Sequence, residues 1–316
     1  MATQLDKPVC LLTFDTELLW GIRFMGWSDD DLQAARRVRD HVFADLLKIL
    51  DDLSIKATFA IVGHLLVRPG ERPKLPPTAN APAVDRWYSS IHTDFERAPE
   101  GFYWPELPQL LRQARTQHEI GLHTFSHWHF ESEETDSTIA EFEIETNRRC
   151  LREANLSPSD SLIFPRNHPG QLDTLRALGV NCYRGLDQNW YSRLPAQMTG
   201  PGHLADCLGR MAPPVYPAVE TEARPMNIPG SYLFWGTEGV RRRIPMSCRV
   251  AQARKGLRQA VRRNAIFHLW MHPINLAHHP ELMLPALRET LETAAQLRDR
   301  GDLRIVTMSE AVDLLT

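Results

Sequence analysis

With 36 basic and 39 acidic side chains in 316 residues, the chain carries a net charge of -3, which offers no global attraction to nucleic acid or anionic lipid. Hydrophobic content of 43% beside 24% charged residues describes a globular protein with ample core and excludes disorder; no run approaches the roughly 18 to 20 apolar residues of a membrane-spanning helix. The five cysteines are odd in number, scattered and without a Cys-x-x-Cys pair, which excludes a disulfide scaffold, and with no leader read after Met1 the expected location is cytoplasmic.

Val9 to Phe14 is a nearly continuous apolar run of strand length that ends on Asp15-Thr16-Glu17, placing carboxylates at a strand's carboxyl end. Ser28, followed by three aspartates, caps a helix expected to run to about Asp52, and Lys56 to Val62 is the next strand, completing a first strand, helix, strand unit. From Leu66 to about Trp104 periodicity disappears, so this stretch reads as a long loop insertion. Helix is expected over Pro105 to Gln117 and Glu133 to Ala154, with a strand into His123 between them. Ser161 to Phe164 closes on Pro165-Arg166-Asn167, and Gly179 to Arg184 reads as strand.

A second Pro-rich and aromatic insertion is expected over 193–249. Arg241 to Arg263 holds nine basic residues and no acidic one, on a helix whose Arg254 and Arg258 would suit a phosphate-bearing substrate or an anionic membrane surface. Ala265 to Met271 is a strand ending at His272, and Leu303 to Val306 the last. Alternation of this kind, without a GxGxxG or P-loop, predicts an α/β fold: a distorted (β/α) barrel of about seven strands, one domain over 1–316.

His118 to Phe130 packs four histidines into thirteen residues, and His123 and His127 stand four apart, a spacing that lets two imidazoles share one metal ion. Asp15/Glu17, His123/His127, Arg166 and His272 all lie at strand ends, and in a barrel the carboxyl ends of the strands meet at one face. Two imidazoles and a carboxylate form a common set for zinc or another divalent ion, with positions left open for water and substrate. His129, His268, His278 and His279 read as packing or solvent-exposed residues.

Five ordered segments, TFDTE (Thr13 to Glu17), HTFSH (His123 to His127), FPRN (Phe164 to Asn167), DQNW (Asp187 to Trp190) and LWMH (Leu269 to His272), resemble the motifs of the polysaccharide deacetylase superfamily, the nodulation-protein B homology family. The resemblance implies a divalent metal, zinc by preference, and hydrolysis of N-acetyl groups on amino sugars. It implies Asp15 as general base, Arg166 as the cation that orients it, His272 as general acid, Asp187 as its tuning partner and Trp190 as a pocket wall. Where the family has two adjacent aspartates this chain has Asp15-Thr16, so Glu17 is taken as the metal ligand with His123 and His127, Asp15 being the alternative. The expected substrate is a nucleotide- or lipid-linked amino sugar of bacterial surface-polysaccharide or lipopolysaccharide synthesis. Deformylation of a lipid-linked sugar, hydrolysis of a small cyclic amide, and a non-catalytic sugar-binding module are the alternatives.

Overall fold

The computed structural model of the chain describes residues 2–67 and 82–316. Strand β1 (Val9–Thr16) is buried along its whole length, as a near-continuous apolar strand must be when both faces are covered. It anchors a nine-stranded parallel sheet with β2 (Thr58–Ile61), β3 (Glu119–Leu122), β4 (Pro158–Ile163), β5 (Cys182–Gly185), β6 (Met226–Pro229), β7 (Tyr232–Leu233), β8 (Ile266–Met271) and β9 (Arg304–Val306). Neighbours run β6-β5-β4-β3-β2-β1-β8-β7, and β9 pairs the first half of β1. A separate antiparallel ribbon joins Ala2–Gln4 to Ala218–Glu220.

The fold is a distorted (β/α) barrel. Its two sheet ends meet on one extended segment, because β6 pairs β5 while β7, two residues later, pairs β8. The backbone N–H groups of Gly230 and Ser231 continue this bridge, donating to Gly185 and His268 on either side at 3.0 and 2.9 Å. The expected insertion over 193–249 is therefore not all loop: it supplies the closing strands. Such short strands, broken at Gly230, lie below the length at which alternation can be read.

The other expected insertion also needs correction. Residues 68–81 lie outside the described residues, but Pro82–Arg97 is a helix whose Val84, Tyr88, Ile91 and Phe95 recur at helical spacing and are buried. Its serines, threonine and aromatics lower helix propensity and hid that spacing. The capped helix was read correctly: Ser28 and Asp31 form a reciprocal capping box, and Asp29–Arg37, Val38–Val42 and Phe43–Asp52 follow without a break.

Alternation along β1 sorts residues by face. Cys10, Leu12 and Phe14 join the large core between sheet and helices, whereas Val9 and Leu11 join a second cluster with Ala60, Ile163, Cys182, Ile228 and Ile266 inside the barrel. On that inner face the next residues are Thr13 and then Asp15. On β8, Ile266 is likewise followed by His268 and Trp270, and on β5 Cys182 by Arg184. The interior thus turns from apolar to polar toward the carboxyl ends of the strands, where the candidate site lies.

Candidate metal and catalytic centre

His123 leaves the end of β3, and the chain turns sharply through Thr124 and His127, both at positive φ (58° and 59°). A β-branched residue in that region is strained and needs outside support. The N–H groups of Gly63 and His64 donate to the carbonyls of Thr124 and Phe125, while Ser126 donates its N–H (2.8 Å) and Oγ (2.6 Å) to the buried Glu143. Phe125 and Ser126 thus shape the turn.

This turn aims both imidazoles at Glu17. His123 Nε2 lies 2.8 Å and His127 Nε2 2.9 Å from Glu17 Oε2, and one ligand atom from each of the three lies within 4.8 Å of the others. His123 Nδ1 donates to the Ile163 carbonyl at 2.7 Å, which turns Nε2 toward the carboxylate. The His, His, Glu donor set fits a divalent ion of the zinc type. Burial pushes the Glu17 carboxyl up, yet His272, His127 and His123 pull it well below its ordinary range. Gly21 makes this placement possible, since a Cβ there would fall 1.8 Å from Glu17 Oε1.

Asp15 is separately engaged. Arg184 grips it with two parallel bonds, Nη1 to Oδ1 and Nη2 to Oδ2, each 2.6 Å. Burial raises the Asp15 carboxyl, but the charge of Arg184, then of His272, and the Arg184 hydrogen bonds lower it further, leaving it below its ordinary value. Both Asp15 oxygens are thus taken up by Arg184, whereas Glu17 Oε2 faces the two imidazoles. Arg184 is itself fixed by Asn167 Oδ1 (2.9 Å from Nε), by Thr13 Oγ1 (3.0 Å) and by the face of Trp270, 4.1 Å away. His268, buried and bonded to Thr13 at 3.0 Å, is pushed down to about 3 by burial and by Arg184. It is a structural residue, as expected.

His272 Nε2 points into the centre, 3.3 Å from Glu17 Oε1 and 3.6 Å from Asp15 Oδ2, and Nδ1 lies 2.9 Å from Asn275 Oδ1. Three expectations are corrected here. Arg166 does not hold Asp15: at φ 58° its side chain turns outward, 44% exposed, to Glu131 at 3.4 Å. Asp187 does not pair with His272 but accepts from the Trp270 indole at 2.9 and 3.1 Å, its carboxyl raised to about 6 by burial against the pull of Arg184. Trp190 is exposed and donates to Asp206 at 2.7 Å, while its neighbour Tyr191 joins Asp187, His203, Trp235 and Trp270 around a cavity of about 310 Å³. Arg254 and Arg258 stand on an outer helix, Met246–Arg263, where Arg254 pairs with Glu289 at 2.8 Å. Neither is among the groups gathered at the centre.

No curated protein sequence matches the chain. Solved structures similar to it include a Mycobacterium smegmatis protein carrying the polysaccharide deacetylase name (16% identity, TM-score 0.61, covering 98% of this chain and 91% of that one). A Pseudomonas aeruginosa protein of the same designation aligns at 11% identity and TM-score 0.55, over 97% of this chain and 89% of that one. The Puue allantoinase aligns at 10% identity and TM-score 0.56, over 97% and 88%. At these identities the likeness is one of fold. The sequence profile of the polysaccharide deacetylase family matches residues 2–168, more than half of the chain and all of the segment that carries Asp15, Glu17, His123 and His127. The chain belongs to the polysaccharide deacetylase family, hydrolases of amide bonds.

Proposed function

We propose that this protein removes an N-acyl group, acetyl in the leading case, from an amino sugar of a surface-polysaccharide or lipopolysaccharide intermediate, using a divalent ion, zinc by preference, held by Glu17, His123 and His127. The observation that carries this reading is the division of labour between two carboxylates two residues apart: Glu17 faces the imidazoles and Asp15 faces Arg184. A bound divalent ion supplies Lewis acidity, polarising the amide carbonyl and acidifying water.

The chain's own groups then handle protons. Asp15, kept ionised by Arg184, accepts a proton from the attacking water. His272, with Nδ1–H directed to Asn275 Oδ1, presents Nε2 to the same space and, when protonated there, gives that proton to the departing amine, which cannot leave as an anion. Trp270 walls this space beside Arg184 and keeps water from the ion pair. Buried thiols at Cys10, Cys182, Cys207 and Cys248 suit a reducing, cytoplasmic setting, and a nucleotide- or lipid-linked sugar suits that location.

The test is acetate and formate release from a panel of nucleotide- and lipid-linked N-acyl amino sugars, with and without chelator, alongside metal content. The expected result is about one ion per chain, absent in His123→Ala, with activity abolished by chelator. Activity that persists in excess chelator would instead indicate a metal-independent amide hydrolase, and saturable sugar binding without turnover a binding module.

A further inference from the structure

The helix Ala196–Gly209 has an unusual polarity for one on a protein surface. Its inner side buries Gly202 and Cys207 and turns Thr199, His203 and Asp206 toward the cavity beside Trp270. Asp206, the one Asp, Glu, Lys or Arg in this helix, is tied down there by the Trp190 indole and the Gln252 amide, each at 2.7 Å. At 100° per residue, Met198, Pro201, Leu204, Ala205 and Leu208 occupy the opposite side, a stripe of about 120° without a charge, its one polar side chain being Gln197 in the first turn. All five are exposed, Leu208 at 55% and Met198 at 53%, and exposed Met211 extends the stripe beyond the helix end.

The rim of this face is basic in a chain of net charge -3. Exposed Arg193 precedes the helix and Arg210 follows it. Lys255 donates to the Arg210 carbonyl at 2.6 Å, and Arg210 opens onto a groove shared with Arg254 and Arg258. Glu289 neutralises Arg254 at 2.8 Å, whereas Arg210 and Lys255 make their hydrogen bonds to Ser247 Oγ and a carbonyl, so their charge faces outward.

An apolar stripe on a surface helix with a basic border matches a lipid interface, in which acyl chains receive the stripe and anionic headgroups the rim. A second copy of the chain fits less well. Two such faces would bring like charges together, and a face about 20 Å by 10 Å falls far short of the roughly 800 Å² per partner of a stable interface. We propose that the outer face of the 196–209 helix docks this protein on an anionic membrane surface, independently of the reaction proposed above.

The test is sedimentation of the full-length protein with vesicles of phosphatidylcholine alone or mixed equally with phosphatidylglycerol. Binding is expected to the anionic vesicles, to fall several-fold in high salt as headgroup attraction is screened, and to fall at least about 10-fold in Leu204→Glu/Leu208→Glu. Both leucines are exposed, so the melting temperature should not move; the salt and lipid dependence of the unmutated protein is a second test that needs no variant. Lack of binding to anionic vesicles overturns the proposal, as does equal binding to both lipids in high salt. So does a concentration-dependent dimer in sedimentation velocity that the same leucine substitutions dissolve.

Discussion

In the proposed reaction a buried carboxylate serves as base only while it stays ionised, and Arg184 holds Asp15 in that form through two hydrogen bonds. Arg184→Met should therefore lower kcat by about 10²- to 10⁴-fold, while Arg166→Ala, which frees only a solvent-facing pair with Glu131, should change it less than about threefold; acetate release under saturating substrate separates the two. Gly21→Ala should weaken metal affinity about 10- to 100-fold by displacing Glu17, measured by competition with a chromophoric chelator. Asp15, Glu17, His123, His127 and His272 were legible because each ends or follows a strand, and topology alone brings strand ends together. Arg184 was missed although a signal existed: an arginine inside the apolar strand Cys182–Gly185 demands a buried anion. Arg166 drew attention instead because it sits in a recognisable motif, and no local pattern reports that its backbone turns outward at positive φ.

Among the elements, the segment 235–244, which holds the short 3-10 helix Gly239–Arg243, shows how a connection becomes a wall. Arg249, buried in the helix Met246–Arg263, donates to the carbonyls of Trp235, Gly236, Arg241 and Ile244 at 2.9 to 3.1 Å and lies 3.7 Å over the Trp235 ring. One guanidinium thus serves four backbone acceptors, of which the Arg241 carbonyl also accepts from the Ile244 N–H. Arg249→Met should cost on the order of 3 kcal/mol in urea unfolding, because it removes these four buried bonds, and should loosen the cavity that Trp235 lines. The sequence shows the basic run to which Arg249 belongs but not that this member points inward while Lys255 points out. Hidden elements share that cause. The strands β6 and β7 and the helix Pro82–Arg97 draw their stability from partners distant in sequence, whereas the Ser28-capped helix announces itself locally.

At the scale of the whole molecule, a barrel interior that grades from apolar to polar makes stability depend on pH. Burial holds His268 at about 3, and His118 and His129 at about 4, so all three are neutral when folded. Once unfolded they bind protons below about pH 6.5, so stability is full above that value and is lost as the pH falls toward 4. Asp187, raised to about 6, acts in the opposite sense, gaining stability as the pH falls through the same window. His268→Gln isolates one contribution: between pH 6 and 4 the slope of unfolding free energy should decrease by about 1.4 kcal/mol per pH unit relative to the unmutated chain, read from urea titrations at each pH.

The bridging segment Met226–Leu233 has a further consequence for how this barrel breathes. Strands β2 to β5 are each zipped to two neighbours along one stretch, but here β6 and β7, two residues apart, hold different edges, with four register pairs to β5 and two to β8. A rupture of either half opens the cylinder like a split hoop while the remaining strands stay paired. Local opening should start there, so the Ser231 and Phe234 amides should exchange with deuterium ahead of those of Leu12 and Phe14. The seam runs beside Arg184 and Trp270, which means that the same opening would admit solvent to the ion pair that arms Asp15.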